Sequence, residues 1–463
     1  MINGKYPVYI WQNMFRKIAL LFLVFLAIYL ILPDVHLSPD AGLWVVQGNN
    51  PVSDKNNLFN ALAGLSAAAD ENMTTAGISQ VQEANTKLAE FLGSDEHLQT
   101  GAKPGIDIHW TEPALVPTEG VIILCEPRAQ DCRDIWMSQK DTIEQLLAEN
   151  KILLNRYQEL QTFHEYRNTL AIDIRSPFPD YSTLMTLNRL YGAGIALRYM
   201  TEEPAAALIE LKNDMVFLRR LISRADTMII KMVALSMLKH DLYLYASLMD
   251  TRPAEIYQFD EIPFLTEPER SFEEPIKYEF RMNMNLAHEI KTYPQLITGD
   301  LGVPAWLPFP LYRVNHSINM IHAALANSLH KSQLSAGEFN QLSFSDQNDI
   351  REFRPGWLSY MYNPIGCILF SISLPDFNKY IIRIHDMDGL TSMINLKRHI
   401  KRENLGPGDI EKYLKQAKSK YFNPYTGQNI DWNPGEQTLS FQSPGSDFVN
   451  NKLNLVFVET PDE

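Results

Sequence analysis

The sequence predicts a mainly α-helical protein: a multi-helix domain on one N-terminal transmembrane helix, closed by a small C-terminal α+β element with a hairpin. Three observations carry this expectation. Ile18 to Leu32 is an uninterrupted apolar run. From Asp134 apolar residues recur at helical spacing, and after Pro177 and Pro179 three helices from Tyr181 to Met249 are joined by very short breaks. After Pro424 the pattern switches to short alternating segments around turn residues. The organisation expected is a tail and anchor at 1–33, a linker at 34–56, a helical domain at 57–360 and a C-terminal module at 361–463.

The run IALLFLVFLAIYLIL has 15 residues and no charge, and Trp11 to Phe15 extend it. Crossing a bilayer takes about 20 mostly apolar residues, so Trp11 to Leu32 suffices where the run alone is short. Lys5, Arg16 and Lys17 precede it, and Asp34 is the first acid. Basic residues stay on the cytoplasmic side, which sends the rest of the chain across. Trp11 and Tyr29 fall where aromatic rings anchor a helix at the two interfaces. A cleaved signal peptide is the competing reading. It needs small residues soon after the run; Leu30, Ile31, Leu32 and Pro33 supply none, and Ala41 is distant. A second apolar stretch, Met228 to Met249, contains Lys231, Lys239, His240 and Asp241. Each charge at mid-bilayer costs roughly 2.5–3.5 kcal/mol, so this stretch is expected as a buried core helix.

Acids outnumber Lys and Arg by 55 to 41, and the first 33 residues hold three of the bases and no acid. The remainder therefore carries a formal charge of −17, which repels phosphate backbones and excludes nucleic acid as the expected partner. Cysteine is scarce. Cys125 and Cys132 lie in CEPRAQDC, a spacing that reads as a local disulfide in an oxidising compartment. Such a loop is worth roughly 2.5 kcal/mol in the chain-entropy picture. Zinc is the alternative, but it needs two more ligands and no CxxC or HxxxH lies nearby. Cys367, inside IGCILFSISL, is expected as a buried free thiol.

In chain order, Asn56 to Ala69 and Thr75 to Leu92 have the spacing of packed helices. Gly101 to Gly120 is broken by Pro104, Pro113 and Pro117. Leu146, Leu153 and Leu160 recur every seven residues, predicting a helical hairpin or short coiled-coil seam. Helices are expected at Tyr181–Met200, Glu203–Ser223 and Asp226–Met249, antiparallel because their breaks are short. Another covers Ile276 to Tyr293. Leu301 to Arg313, with three prolines among large apolar residues, reads as packing over the core or as a partner-binding edge. NPIG at Asn363–Gly366 opens a helix, Tyr380 to Arg402 is long and amphipathic, and Asp409 caps a helix to Lys420. NIDW and TLSFQS flank Asn433, Pro434 and Gly435 as a hairpin, with Leu453 to Val458 as a third strand.

Motifs that carry chemistry are thin. His316, His322 and His330 share a helix, but spacings of six and eight do not stack ligands as i, i+4 does. His385, Asp386, Asp388 and Gly389 lack the further oxygen ligands of a calcium loop. GxSxG, SxxK, GxxxxGK[ST] and GxGxxG do not occur. Glu202-Glu203 and Glu273-Glu274 are carboxylate pairs of the kind used in glycosidase acid/base work, but Glu202 and Glu203 fit a helix start, where acids favour the macrodipole. Arg156, Arg219, Arg220 and Arg224 lie in apolar helices and are expected to pair with Asp214, Asp226 or Asp241, the alternative being that they line a binding groove. No catalytic residue, cofactor or metal ligand is assigned.

Tyr380 to Gly445 joins a helix, NPYTGQNIDW, a strand pair and SPGS. Through Arg383, Asn423, Pro424, Tyr425, Gly427 and Gln428 it resembles a tail found in bacterial envelope proteins, and distantly the end of the major pseudopilins of type II secretion. Asn-Pro stops the helix and Gly427 permits the turn, so Asn423, Pro424 and Gly427 are expected to be structural. The pseudopilin start, a processed Gly followed by Phe-Thr-Leu and a Glu, is missing, and pilus assembly is not implied. With NNLFNALAGL, CEPRAQDC and ENKILLNRYQEL, the whole chain resembles an uncharacterised proteobacterial family of membrane-anchored envelope proteins. The resemblance implies a single-pass protein of the bacterial inner membrane with its bulk in the periplasm. The expected role is a non-catalytic structural, scaffold or assembly component working with another envelope protein. The alternative is an envelope or cell-wall enzyme with carboxylates in a helical groove.

Overall fold

The computed structural model describes residues 14, 16–21, 23, 24, 29, 31–46, 52–94, 133–201, 203–251, 260–298, 311–345, 355–374, 376–416, 420–444 and 451–454. Much of the expected anchor, Cys125, Cys132 and residues 301–310 lie outside these. The chain is mainly helical, with a small antiparallel sheet near the C-terminus. Residues 16–21 are helical, and Ile18, Leu20 and Leu21 are each more than half exposed.

Helix α1 (Pro39–Val45) starts at a Ser38 cap. Helices α2 (Leu58–Ala63) and α3 (Met73–Gly93) are capped by the side chains of Asn57 and Asn72. The helix expected over Asn56–Ala69 stops at Ala63, because the Gly64 amide turns back to the carbonyls of Asn60 and Leu62. There α2 and α3 touch backbone to backbone. A Cβ on Gly77 would lie 1.7 Å from the Asn60 carbonyl oxygen, and one on Gly64 1.8 Å from that of Met73. The turn between the two helices is filled by Arg156, whose guanidinium donates to the carbonyls of Leu65 (3.1 Å), Ala67 (2.6 Å), Ala68 (2.6 Å) and Glu71 (3.1 Å).

Helices α4 (Arg133–Ser138), α5 (Lys140–Glu149) and α6 (Lys151–Leu160) come next, separated by Gln139 and Asn150. The row Leu146, Leu153 and Leu160 is buried. Its helices pack on α7 (Tyr181–Thr201), so the seven-residue spacing serves a bundle face. Helices α7, α8 (Pro204–Arg224) and α9 (Met228–Leu248) contact one another pairwise across very short joins. The charged apolar stretch is thus a core helix, α9. Its Lys231 is buried and donates to the carbonyls of Ile222 and Glu269, each at 2.9 Å.

After α10 (Glu267–Arg270), helix α11 (Glu273–Thr292) packs on α13 (Val314–Ser332), with α12 (Gln295–Thr298) between them in sequence and α14 (Ala336–Ser345) beyond. Residues 34–46, expected to be part of a linker, are instead bonded along α13. Asp34 accepts from the amides of Asn315 (2.8 Å) and His316 (3.3 Å) in its first turn, where a carboxylate satisfies free N–H groups. Asn319 donates to the His36 carbonyl and accepts from the Ser38 amide, both at 2.9 Å. The reason is polar complementarity on the α13 face, which composition alone does not reveal.

Helices α15 (Trp357–Tyr362) and α16 (Pro364–Ser373) meet at Asn363, which is buried and holds them to α13. It accepts from the Arg313 amide (2.9 Å) and donates to Ser317 Oγ (2.9 Å). Cys367 on α16 is a buried free thiol. Helix α17 (Asn378–Arg402) crosses the bundle and packs on α9. Helix α18 (Pro407–Gln416) starts two residues before the expected Asp409 cap. The sheet has the order β1 (Asp431–Asn433), β2 (Thr438–Phe441), β3 (Asn451–Asn454), all antiparallel, with Trp432 opposite Leu439. Phe441 packs where Gly389 leaves α17 without a side chain; a Cβ there would reach the ring at 2.3 Å.

The turn before the sheet is closed by Asn423. Its amide donates to the Gln428 carbonyl (2.8 Å), and its side chain accepts from the Tyr425 amide (2.9 Å). Gly427 has φ +66° and nothing within 4 Å of an added Cβ. The expected cost of Gly427→Val is therefore backbone strain alone, about 1–2 kcal/mol. Gly427→Asn should cost less, because asparagine tolerates that region. Chemical denaturation of the two variants should rank them in that order; equal stabilities would refute the strain account.

Candidate functional site

A cavity of about 470 Å³ lies between α8, α9, α17 and the segment 260–266. Its walls are mostly apolar: Leu208, Met215, Val216, Leu238, Leu242, Ile262, Pro263 and Met387 line it. Arg219 and Glu269 form its principal ion pair, with Nε to Oε1 at 2.6 Å and a second nitrogen to Oε2 at 2.8 Å. Arg219 also donates to the carbonyls of Pro263 (2.6 Å) and Phe264 (2.8 Å). Glu269 closes the capping box of α10 by accepting from the Thr266 amide at 2.5 Å. Burial pushes the Glu269 carboxyl up, but its bonds to Arg219 and Thr266 hold it below the usual carboxylate value. Glu261, on the same wall, accepts from Lys420 (2.7 Å) and Tyr421 (2.7 Å) and is also held low against its burial. These carboxylates are committed to internal bonds.

A second cleft, about 720 Å³ and more polar, lies between α10, the end of α13, α17 and the turn at Phe422 and Pro424. Arg270, His385, Asp388 and Ser392 line it. Arg270 pairs with Asp388 at 2.7 Å, and Asp388 also accepts from the Leu265 amide (3.2 Å). Burial and the neighbouring Arg270 lower the His385 pKa to about 4, so the ring is neutral and can accept a proton only in acid. Asp386 turns to Tyr425, whose hydroxyl donates to it at 2.7 Å and to the Ile382 carbonyl at 3.0 Å. The run His385–Gly389 is thus spread around a helix, and its two acids secure different neighbours. Pro424 lines the cleft, and Asn423 and Gly427 shape the turn that brings Tyr425 to α17.

Within the bundle, Asp214 and Asp241 form a carboxyl pair shut away from both cavities. Tyr157 donates to Asp214 at 2.9 Å and Gln161 donates at 3.1 Å, while Asn188 bridges Asp214 (3.2 Å) and Asp241 (3.0 Å). Both acids are buried, joining α6, α7, α8 and α9. Burial raises both pKa values; Asp214 is pushed up to about 7, and the negative charge of Asp214 adds to the rise at Asp241. None of the four arginines pairs with Asp214, Asp226 or Asp241 as the sequence suggested. Arg219 finds Glu269 and Arg224 finds Glu165, while Arg156 and Arg220 donate to carbonyls. The Asp226 carboxylate accepts from the Asn168 amide at 2.7 Å. Carbonyls at loop ends satisfy a guanidinium without a second buried charge.

The pair has a testable pH signature. A folded state that keeps protons the unfolded chain has lost is destabilised as pH rises. For Asp214, whose carboxyl is pushed up to about 7, this stability is full below about pH 4 and lost as pH rises through 7; Asp241 shifts in the same direction. Each pKa unit is about 1.4 kcal/mol. Asp241→Asn keeps a donor for Asp214 and an acceptor for Asn188 while removing one ionisation. It should leave stability unchanged at pH 4 and raise it at pH 8, read by thermal denaturation in detergent. A gain at pH 4 instead would refute the sign.

The other sequence candidates do not converge. His316 meets Tyr362 edge to face, and His322 meets Trp44 and Phe280 in the same way. Glu203 precedes α8, and Glu273 sits in the first turn of α11 bonded to Lys277 at 2.6 Å. Apart from Arg219, one of four arginines offered as groove-lining, the cavity walls were not foreseen, nor was the Asp214–Asp241 pair, at which only the acids inside apolar helices hinted. No protein-family model, curated protein or solved structure matches the chain.

Proposed function

We propose that this chain is a single-pass bacterial inner-membrane protein whose helical body lies in the periplasm and acts without catalysis, holding or assembling another envelope protein. The observation that supports the address is the helix over residues 16–21, with large apolar side chains exposed just after Arg16 and Lys17. The apolar cavity beside α8 supports the non-catalytic role: its walls suit an apolar segment of a partner, and its Glu261 and Glu269 are tied up internally.

One observation favours the enzymatic alternative, namely His385, Arg270 and Asp388 gathered on a polar cleft. The two readings separate in one complementation series in a deletion strain. Under the scaffold reading, His385→Gln and Asp388→Asn variants that accumulate normally restore the envelope phenotype. Val216→Trp, at the exposed rim of the apolar cavity, does not. The enzymatic reading requires the reverse. A phosphatase fused after Glu463 should be active and a fluorescent protein there dark; the opposite would overturn the periplasmic address.

A further inference from the structure

From Pro355 to Pro375 the chain runs 21 residues without Asp, Glu, Lys, Arg or His. That composition predicts burial, yet α15 and α16 present much of it outward. Trp357, Leu358 and Met361 on α15, and Ile368 and Ile372 on α16, are all exposed, Ile372 to 77%. Residues 357 and 361, and 368 and 372, lie four apart on their helices, so each pair shares a face. An exposed apolar surface of this kind marks an interaction site.

Its position says what covers it. The Tyr29 hydroxyl, at the end of the N-terminal apolar run, donates to the Tyr362 carbonyl at 3.1 Å. The Tyr362 hydroxyl donates to the Pro33 carbonyl at 2.7 Å. The Arg313 guanidinium lies over both rings, 5.6 Å from Tyr29 and 5.5 Å from Tyr362, and donates to the Tyr29 carbonyl at 3.0 Å. The patch is therefore continuous with the foot of the N-terminal helix, where Ile31 and Leu32 are also exposed.

We propose that α15 and α16 lie in the outer interfacial layer of the bilayer that holds the N-terminal helix, as a second, non-spanning membrane contact. The proposal rests on the reading of that helix as a membrane anchor. The occupant is lipid: acyl chains beneath Leu358, Met361, Ile368 and Ile372, and the glycerol and headgroup level around Trp357. Pro364–Arg402 has the length and composition of a membrane span, but the length of α16 and the burial of α17 argue against crossing. Ten residues of α16 span about 15 Å against a core of about 30 Å. The apolar sequence continues into α17, but that helix is core of the body and buries Asp386 and Lys397.

The test uses the full-length chain in its native membrane. A diazirine-bearing photoreactive side chain replaces, one at a time, Leu21, Leu358, Ile372 and, as a control on α3, Lys87. After illumination the adducts are identified by mass. Each site is exposed, and variants are kept only if they resist protease as the parent does. The expected result is phospholipid adducts at Leu21, Leu358 and Ile372 and none at Lys87. Lipid at Leu21 with only water or polypeptide adducts at Leu358 and Ile372 overturns the interfacial contact and leaves the anchor standing. A polypeptide adduct from a second copy or another protein would make the patch a protein interface. No lipid adduct at Leu21 removes the anchor and the proposal together.

Discussion

Gly77→Ala is expected to destabilise the protein by more than about 3 kcal/mol, although alanine favours helix over glycine by about 1 kcal/mol. The two effects differ in kind. Helix propensity acts on α3 alone. The new methyl would lie 1.7 Å from the Asn60 carbonyl oxygen, half a normal contact, and the obstruction is backbone, which has no rotamer to change. The helices would have to separate by more than 1 Å, on the order of the distance that opens a void beside buried Leu58, Leu62 and Val81. Gly64→Ala meets the Met73 carbonyl at 1.8 Å and should behave alike. Gly93→Ala, on the same helix with nothing within 4 Å, is the control and should be neutral or slightly stabilising. Thermal or urea denaturation in detergent measures all three. A neutral Gly77→Ala would show that the close crossing is not needed.

The second large effect is expected at Arg156. Arg156→Ala removes donors from four carbonyls in the 65–71 turn. The loss of several charge-assisted bonds, with acceptors left partly buried, should cost about 3–5 kcal/mol. Arg156→Lys is not conservative here: a point-like ammonium cannot reach carbonyls spread over seven residues as a planar fork does. It should recover less than half the loss, and a full rescue would show that charge alone matters. Because the turn connects α2 to α3, early proteolysis between Leu65 and Glu71 is expected in Arg156→Ala.

How much of this was legible in sequence depends on range. Helices defined by periodic apolar residues, such as Met228–Leu248, were placed within a few residues, since i, i+4 spacing is local information. The hairpin around Asn433 was equally local. What sequence concealed depends on partners far along the chain. Gly64 and Gly77 look like ordinary glycines until two backbones meet. The four arginines were matched to acids by charge, yet two chose carbonyls, a preference set by where loops end in space. Residues 34–46 looked like a linker because Asn, Asp and Pro also compose loops; only the face of α13, almost 300 residues later, gives them bonds. The candidate cavities are assembled from α8, α9, α10 and α17, so no motif announced them.

The bonded segment along α13 also fixes a height. A free chain of 23 residues, the length of 34–56, has a root-mean-square reach of about 25–30 Å. Tethered that way, the body could meet partners over a hemisphere of that radius. With Asp34 seated on the first turn of α13 and Asn319 holding His36 and Ser38, that slack is gone. The body becomes a spacer of set length, and a pull on the N-terminal helix arrives at α13 undiminished. With the N-terminal helix read as the proposed anchor, any surface the body serves must come to it at one elevation, and inserting flexible residues after Asp40 would change nothing in that elevation, whereas inserting them before Asp34 would leave only the contacts of Tyr29 and Pro33 with Arg313 and Tyr362 to hold it.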